Sequence, residues 1–587
     1  MHLIQKFVFA IILIAIAGTG YAAYKLSNPS LPAPEKVTKF VQLDQGWTDA
    51  ERQSVHYTPQ GTLLLPLAWL KAAEQGFFSS KSLIDAETLA GLRFLTDGLR
   101  KDAMNPEGLP IGWTVARWAS PNGTTPAMDK VGFTCATCHT GQLNYKGTAI
   151  LIEGAGALHD AGAYQTMVGK SMLATWLLPW KKTRFVDAVT RETGQSRADV
   201  ETQLKQAFDL AFTATKEQVV KNLYVEEGYG RLDALQRIAN TLLADDTGDT
   251  SNNRHGDAPV KFPYLWDIWR LDWVQYNASV RQPMARNIGE ALGVRAETNF
   301  VDKAGNPQPL PERWKTSVMV ANLAKVEDAL QKLQPPKWPA AIFGPVDEAR
   351  AARGRALFEE RCAGCHGIHV DTRMQPAEWR VTQIPLEKIG TDPNEAMNFI
   401  KNRYSAKPLG MDKEIDGAEA LRVVANAVKT YAYDAAGYTP MQRAAADGFG
   451  RQNEVVSPAV YKARPLVGIW ASPPYLHNGS VPTLYDLLSP ERPASFYIGT
   501  REYDPVKVGF ITEQFQEAQR FDTKAPGNSN MGHWFANDER AGRLGRELSL
   551  AERNELIEYL KRASYGDYPC RDAQTRQPLS GAVCGGP

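Results

Sequence analysis

The sequence predicts a mostly α protein of two related domains with long loops, the N-terminal one elaborated. Three observations predict it. The pentapeptide Cys-x-x-Cys-His occurs twice, as Cys135-Ala-Thr-Cys138-His139 and Cys362-Ala-Gly-Cys365-His366. Apolar residues recur at helical spacing over residues 164–243, and two further helical segments bracket the second pentapeptide. At 587 residues the chain is also too long for one hydrophobic core.

The N-terminus comes first. Lys6 precedes the apolar run of residues 7–17, and no charge follows until Lys25. Residues 1–25 therefore read as a signal anchor of bilayer length, or as a cleaved signal peptide given the small residues at 17–23. Residues 26–40, with Asn28-Pro-Ser-Leu-Pro-Ala-Pro34, form a Pro-rich spacer. This pattern predicts a periplasmic protein, or one exported and tethered to the inner membrane.

Residues 41–340 form the N-terminal domain. Residues 113–132 read as a loop containing Pro121-Asn-Gly123, and Val200-Glu-Thr-Gln-Leu-Lys-Gln-Ala-Phe-Asp-Leu210 exemplifies the helical pattern of the insertion that follows. The polar run at residues 244–256 reads as an exposed loop. Its acidic residues can hold calcium, but their spacing matches no EF-hand template. Residues 307–345 carry seven prolines and mark the domain boundary.

Residues 345–565 form the second domain. A helix starts after Pro345 and carries Leu357 and Phe358 towards the pentapeptide. A terminal helix starts at Ser549, which forms a capping box with Glu552, and presents Leu556, Tyr559 and Leu560 on one face. Residues 566–587 are a polar tail in which Cys570 and Cys584 form a disulfide or remain two free thiols. No internal repeat is apparent beyond the pentapeptides.

Composition narrows the functions. With 66 basic and 65 acidic residues, the net charge of +1 supplies no field for nucleic acid, and no nucleic-acid partner is expected. Fourteen tryptophans suit a protein that walls in large apolar groups.

The pentapeptide carries the chemistry. Two sulfurs one tight turn apart can add to the two vinyl groups of a porphyrin, and the adjacent histidine then falls under the iron as proximal ligand. A disulfide, a redox pair or half a zinc site uses the same cysteine spacing but has no need of the histidine. The pattern predicts two covalently bound haem c groups, one on Cys135, Cys138 and His139, the other on Cys362, Cys365 and His366. Each domain is thereby expected to be cytochrome c-like. Trp266, Trp269 and Trp273 fall at helical spacing on one predicted face, either as plain core packing or beside the haems. Trp273 is the candidate bridge between haems, and Met284, Ile288 and Leu292 are candidates for lining an apolar pocket.

The segment from Tyr461 to Leu488, with Pro-Pro-Tyr-Leu-His477-Asn-Gly-Ser-Val-Pro at its centre, resembles the loop after the second haem motif in dihaem cytochrome c peroxidases and in the dihaem enzyme that matures methylamine dehydrogenase. In its longer form it is most similar to rubber oxygenases and bacterial dihaem dioxygenases of unsaturated fatty acids. The resemblance extends over most of residues 110–565, including Asp272-Trp-Val-Gln-Tyr-Asn277. It implies that the haem on His139 is reactive and that the haem on His366 is six-coordinate. The sixth ligand is then His533, in a Gly-His-x-Phe context, or His477 or Met411, with His533 the one the resemblance favours. For His477 the other role is a hydrogen bond within its own Asn-Gly turn or to a haem propionate. His159 corresponds either to the distal histidine of the peroxidases or to a loop histidine bonded to Asp160 or a propionate.

The function implied is addition of dioxygen to a carbon–carbon double bond of an apolar substrate, an unsaturated fatty acid or polyisoprene. The alternatives are a peroxidase that reduces hydrogen peroxide with electrons from a donor protein, and a membrane-tethered electron carrier.

Overall fold

A computed structural model describes residues 30–96, 101–120, 127–302, 304–374, 377–448 and 450–585. The segment read as a signal or anchor lies outside the described residues, as does the Pro121-Asn-Gly123 turn. Among the described residues no helix is long and apolar enough to cross a membrane.

Helix accounts for 39% of the structure and strand for 17%, so helix outweighs strand without making the protein mostly α, and a small sheet adjoins each pentapeptide. Residues 113–132, read as a loop, instead form antiparallel strands Trp113–Trp118 and Met128–Phe133, with Trp113 opposite Phe133. Their β-branched and aromatic residues fit a pleated, half-buried surface, which the turn signals in the same stretch obscured. The strand Thr140–Tyr145 leaves the first pentapeptide directly and returns as Thr148–Glu153 through Lys146 and Gly147, both at positive φ as a type I′ hairpin turn requires. Lys39–Gln42 adds in parallel to Thr148–Glu153.

The predicted helical periodicity is present as the helices Ala161–Leu177, Pro179–Thr193 and Arg197–Lys221. Asp160 caps the first and Ser196 the third. With Leu67–Ala72 and Ala86–Gly91 they enclose a separate core around Trp69, Leu70, Phe185 and Leu204. The larger core draws on both sides of the proline-rich segment, from Trp47 to Cys584.

The polar run at 244–256 is more ordered than an exposed loop. Asn252 is 1% exposed; its amide nitrogen donates to Leu243 O (3.0 Å) and Ser405 O (3.1 Å), and its Oδ1 accepts from Ser405 N (2.8 Å). The neighbouring carboxylates are engaged as well: Asp245 pairs with Arg295 at 2.8 Å and Asp246 accepts from Thr298.

In the second half, Glu348–Arg361 starts at the cap Asp347 and packs along Leu550–Arg562, which begins with the Ser549/Glu552 capping box. Phe358 meets Tyr559 and Tyr568 at 5.2 and 5.3 Å between ring centroids. The helices approach closely at Gly354, where a Cβ would overlap the Glu555 carbonyl and lie 3.0 Å from Tyr559 Cβ.

The C-terminal residues are built into this half. Cys570–Asp572 pairs in parallel with Ile368–Asp371, the strand that follows the second pentapeptide, and Cys570 and Cys584 form a disulfide. Closing a loop of this size constrains the unfolded chain by about 3 kcal/mol. Cys584→Ser is expected to lower stability by about that amount in chemical denaturation of the haem-loaded protein; an unchanged midpoint would contradict it.

A repeat beyond the two pentapeptides relates the halves. Residues 261–280 and 462–481 share one backbone path. Each has a 3-10 turn, Ile268–Arg270 or Ile469–Ala471, entered through a residue at positive φ, Asp267 (66°) or Gly468 (76°). Each continues through paired positive-φ residues, Gln275 and Ala278 or Leu476 and Gly479, and closes with a bridge, Val274 to Val280 or Tyr475 to Val481. The tryptophans at 266, 269 and 273 therefore lie in an irregular segment and do not share a helix face.

Candidate haem-binding sites

The first pentapeptide forms the short helix Cys135–His139, capped by Thr134. Thr137 Oγ1 donates to Gly112 O (2.7 Å), and Cys135 Sγ lies 3.3 Å from Gln60 Oε1. His139 Nδ1 donates to Pro263 O at 2.8 Å. In the second, Cys362 N donates to Phe358 O and His366 N to Cys362 O, both at 2.8 Å, so the turn grows from the end of Glu348–Arg361. His366 Nδ1 donates to Arg464 O at 2.9 Å, and Tyr568 Oη grips the His366 carbonyl at 2.8 Å. Pro263 and Arg464 occupy equivalent places in the repeat, so both histidines are oriented by the same device. A backbone acceptor on Nδ1 fixes the tautomer and leaves Nε2 free to ligate.

Burial dominates the electrostatics. It holds His139 down to about 4, which keeps that imidazole neutral, and it lowers His366. It pushes the thiols of Cys135 and Cys362 up to about 12 and raises Cys138 and Cys365 as well.

His533 stands opposite His366, with ring centroids 6.2 Å apart. Metal–imidazole bonds of about 2 Å on either side of one ion would separate two such centroids by roughly 6 Å, so the pair fits an iron between them. The position is costly to build. His533 adopts φ 51°, a region that non-glycine residues enter only when their surroundings enforce it, at about 1–3 kcal/mol. Here His533 N donates to Ile389 O (2.9 Å), while Arg492 donates to the carbonyls of Gly532 and His533 and stacks 3.8 Å over Trp534.

The other candidates lie elsewhere. The ring neighbours of His477 are Tyr461 (4.3 Å) and Tyr276 (6.0 Å), whereas His533 is the ring that faces His366. Met411 packs against the main core. His159, 1% exposed, is stacked between Phe94 (4.7 Å) and Phe262 (5.1 Å), and its Nε2 has no partner. It is not bonded to Asp160, whose carboxylate caps the following helix by accepting from Ala163 N at 2.8 Å. Ala157 N donates to Cys138 O, which holds this segment against the first pentapeptide.

Trp273 is half-buried in a bend, at the place equivalent to Pro474. Trp266 instead occupies the junction of the halves: it is fully buried, stacks on Tyr264 at 4.4 Å and donates to Val467 O at 2.9 Å. Met284, Ile288 and Leu292 are fully buried core residues of helix Pro283–Gly293, which packs on Gly417–Ala435.

Sequence reasoning missed two lysines. Lys261 Nζ donates to Ser472 and to Pro474 O (2.7 Å), while its equivalent Lys462 donates to Gln275 O, so each half braces the other's loop. Burial pulls both down to about 7. The signal was present as a shared Lys, Leu, Ile-Trp and Asn-x-Ser-Val at matching places in the two segments.

Sulfur pairs and oriented histidines on these turns define a c-type cytochrome with covalently attached haem c and a redox function. Comparison with known proteins agrees: a family model described as RoxA-like, cytochrome c-like matches residues 460–497, and one described as cytochrome c oxidase, cbb3-type, subunit III matches residues 349–425. The chain belongs to the family of the uncharacterized protein y4iJ of Sinorhizobium fredii, to which it is 36% identical over 595 residues, covering 93% of this chain and 97% of the relative. It is also 28% identical over 332 residues to the uncharacterized protein y4iM of the same organism, covering 53% of this chain and 67% of that one.

Proposed function

We propose that the protein is an exported dihaem oxidoreductase of the rubber oxygenase-like branch, which adds dioxygen across a carbon–carbon double bond of an unsaturated fatty acid or polyisoprene at the haem on His139. The haem on His366 serves electron transfer or structure. The N-terminal apolar segment directs export and tethers the protein to the inner membrane.

The observation that carries this reading is the unequal surroundings of the two histidines. His366 faces a second imidazole at 6.2 Å, while among the described residues the ring neighbour of His139 is Phe262 at 6.4 Å. Haem c held by Cys135, Cys138 and His139 would supply an iron able to bind dioxygen. The chain's own residues do the rest. Pro263 O holds His139 in the tautomer that presents Nε2, and burial keeps that ring neutral. Phe94 and Phe262 cover the two faces of His159, Trp113, Phe133 and Tyr164 pack around Phe94, and Phe262 also meets the His139 ring, so this aromatic wall would keep water from that side.

A peroxidase is the second reading, favoured by the buried, unpartnered Nε2 of His159. Oxygen uptake separates the two. Oleate or polyisoprene should stimulate uptake without added reductant or peroxide, and His139→Ala should abolish it. Absence of uptake across a broad panel of alkenes, together with peroxide turnover that depends on a reduced donor cytochrome, would replace the dioxygenase with the peroxidase.

A further inference from the structure

We infer that Arg464 is a positioning residue that ties the two proximal histidines into one electrostatic unit; this rests on the dihaem reading above. From His139, Nδ1 donates to Pro263 O at 2.8 Å. The next carbonyl, Tyr264 O, accepts from Arg464 Nη1 at 2.7 Å, and Trp266 O accepts from Arg464 Nη2 at 2.6 Å. The guanidinium lies 3.7 Å from the centroid of the Tyr264 ring. The carbonyl of Arg464 itself accepts from His366 Nδ1 at 2.9 Å. One peptide unit and one arginine therefore span the distance between the two imidazoles.

The arrangement is asymmetric where the repeat is otherwise symmetric. Pro263 and Arg464 hold equivalent places and each supplies the carbonyl for its own histidine, but only Arg464 has a side chain that crosses to the other half. Its planar fork reaches two carbonyls at once, which an ammonium on a flexible stem reproduces only in part. Neighbouring contacts make the joint stiff: Tyr264 Oη donates to Pro465 O at 2.6 Å and Trp266 Nε1 to Val467 O at 2.9 Å. The nearest partners of the guanidinium are these two carbonyls and the Tyr264 ring, while the buried Asp267 carboxylate and the ammonium groups of Lys261 and Lys462 share its field. Haems held on His139 and His366 would both feel this positive charge, which would favour their reduced state.

The test uses the full haem-loaded chain and its Arg464→Gln and Arg464→Lys variants, with haem stoichiometry by mass and midpoint potentials by spectroelectrochemical titration. Arg464→Gln is expected to move both potentials to lower values, and Arg464→Lys to move both by less. A shift confined to the His366 site, or none at either, with both haems attached, overturns the inference. Should Arg464→Gln not fold, Arg464→Lys decides by the same criterion. A wild-type protein carrying one haem overturns the dihaem reading instead.

Discussion

With His533 as the proposed sixth ligand, replacing it with glycine is expected to open the His366 site: the haem there should lose its low-spin character and bind carbon monoxide, and added imidazole should restore the original spectrum. Glycine is the informative substitution because His533 sits at φ 51°, where glycine pays no steric cost. The variant thus removes the ligand and relieves backbone strain of about 1–3 kcal/mol in one change. Alanine removes the ligand but keeps the strain, so His533→Ala should show the same spectrum with lower thermal stability than His533→Gly. A His533→Gly protein with unchanged carbon monoxide binding and spectrum would exclude His533 as the ligand. His477→Gly provides the contrast, since its ring lies against Tyr461 and Tyr276 and its loss should leave the spin state of the His366 haem intact.

The second large effect is on folding. Gly354→Ala places a methyl group on the Glu555 carbonyl of the facing helix and 3.0 Å from Tyr559 Cβ. Both are held by helix backbone, so relief requires Glu348–Arg361 and Leu550–Arg562 to move apart. Alanine's better helix propensity returns only about 1 kcal/mol. Overpacking of this kind costs typically 1–3 kcal/mol and more where backbone must shift, so a net loss of about 2 kcal/mol or more is expected. Gly169→Ala, in the middle of Ala161–Leu177 with nothing within 4 Å of the added atom, should instead stabilise by roughly 1 kcal/mol. Thermal unfolding of the two haem-loaded variants checks both signs, and equal melting temperatures would show that the helix contact at Gly354 is not as tight as described.

Local signals were legible in the sequence where short-range chemistry decides the outcome. The Ser549/Glu552 capping box, the apolar face at Leu556, Tyr559 and Leu560, and the helices of the insertion all appear in the structure as read. The tryptophans at 266, 269 and 273 misled because helical spacing also arises by coincidence in an irregular segment. There, positive φ at Asp267 and Gln275 and bonds to the other half set the path, and none of these is a local property. The strands at 113–118 and 128–133 were hidden by the turn residues between them. Asn252 reads as polar and exposed until its partner Ser405 is known, 153 residues away. Likewise His533 declares itself only through the ring it faces, while Arg464 carries no signature beyond a basic residue before a proline.

His366 is gripped by residues far along the chain: the carbonyl that orients it lies 98 residues later, and the tyrosine that clamps its carbonyl 202 residues later. The carbonyl that orients His139 lies 124 residues downstream. Neither pentapeptide therefore takes its final shape from its own neighbourhood, and a chain cut short before Tyr568 would leave His366 without the hydroxyl that clamps its carbonyl.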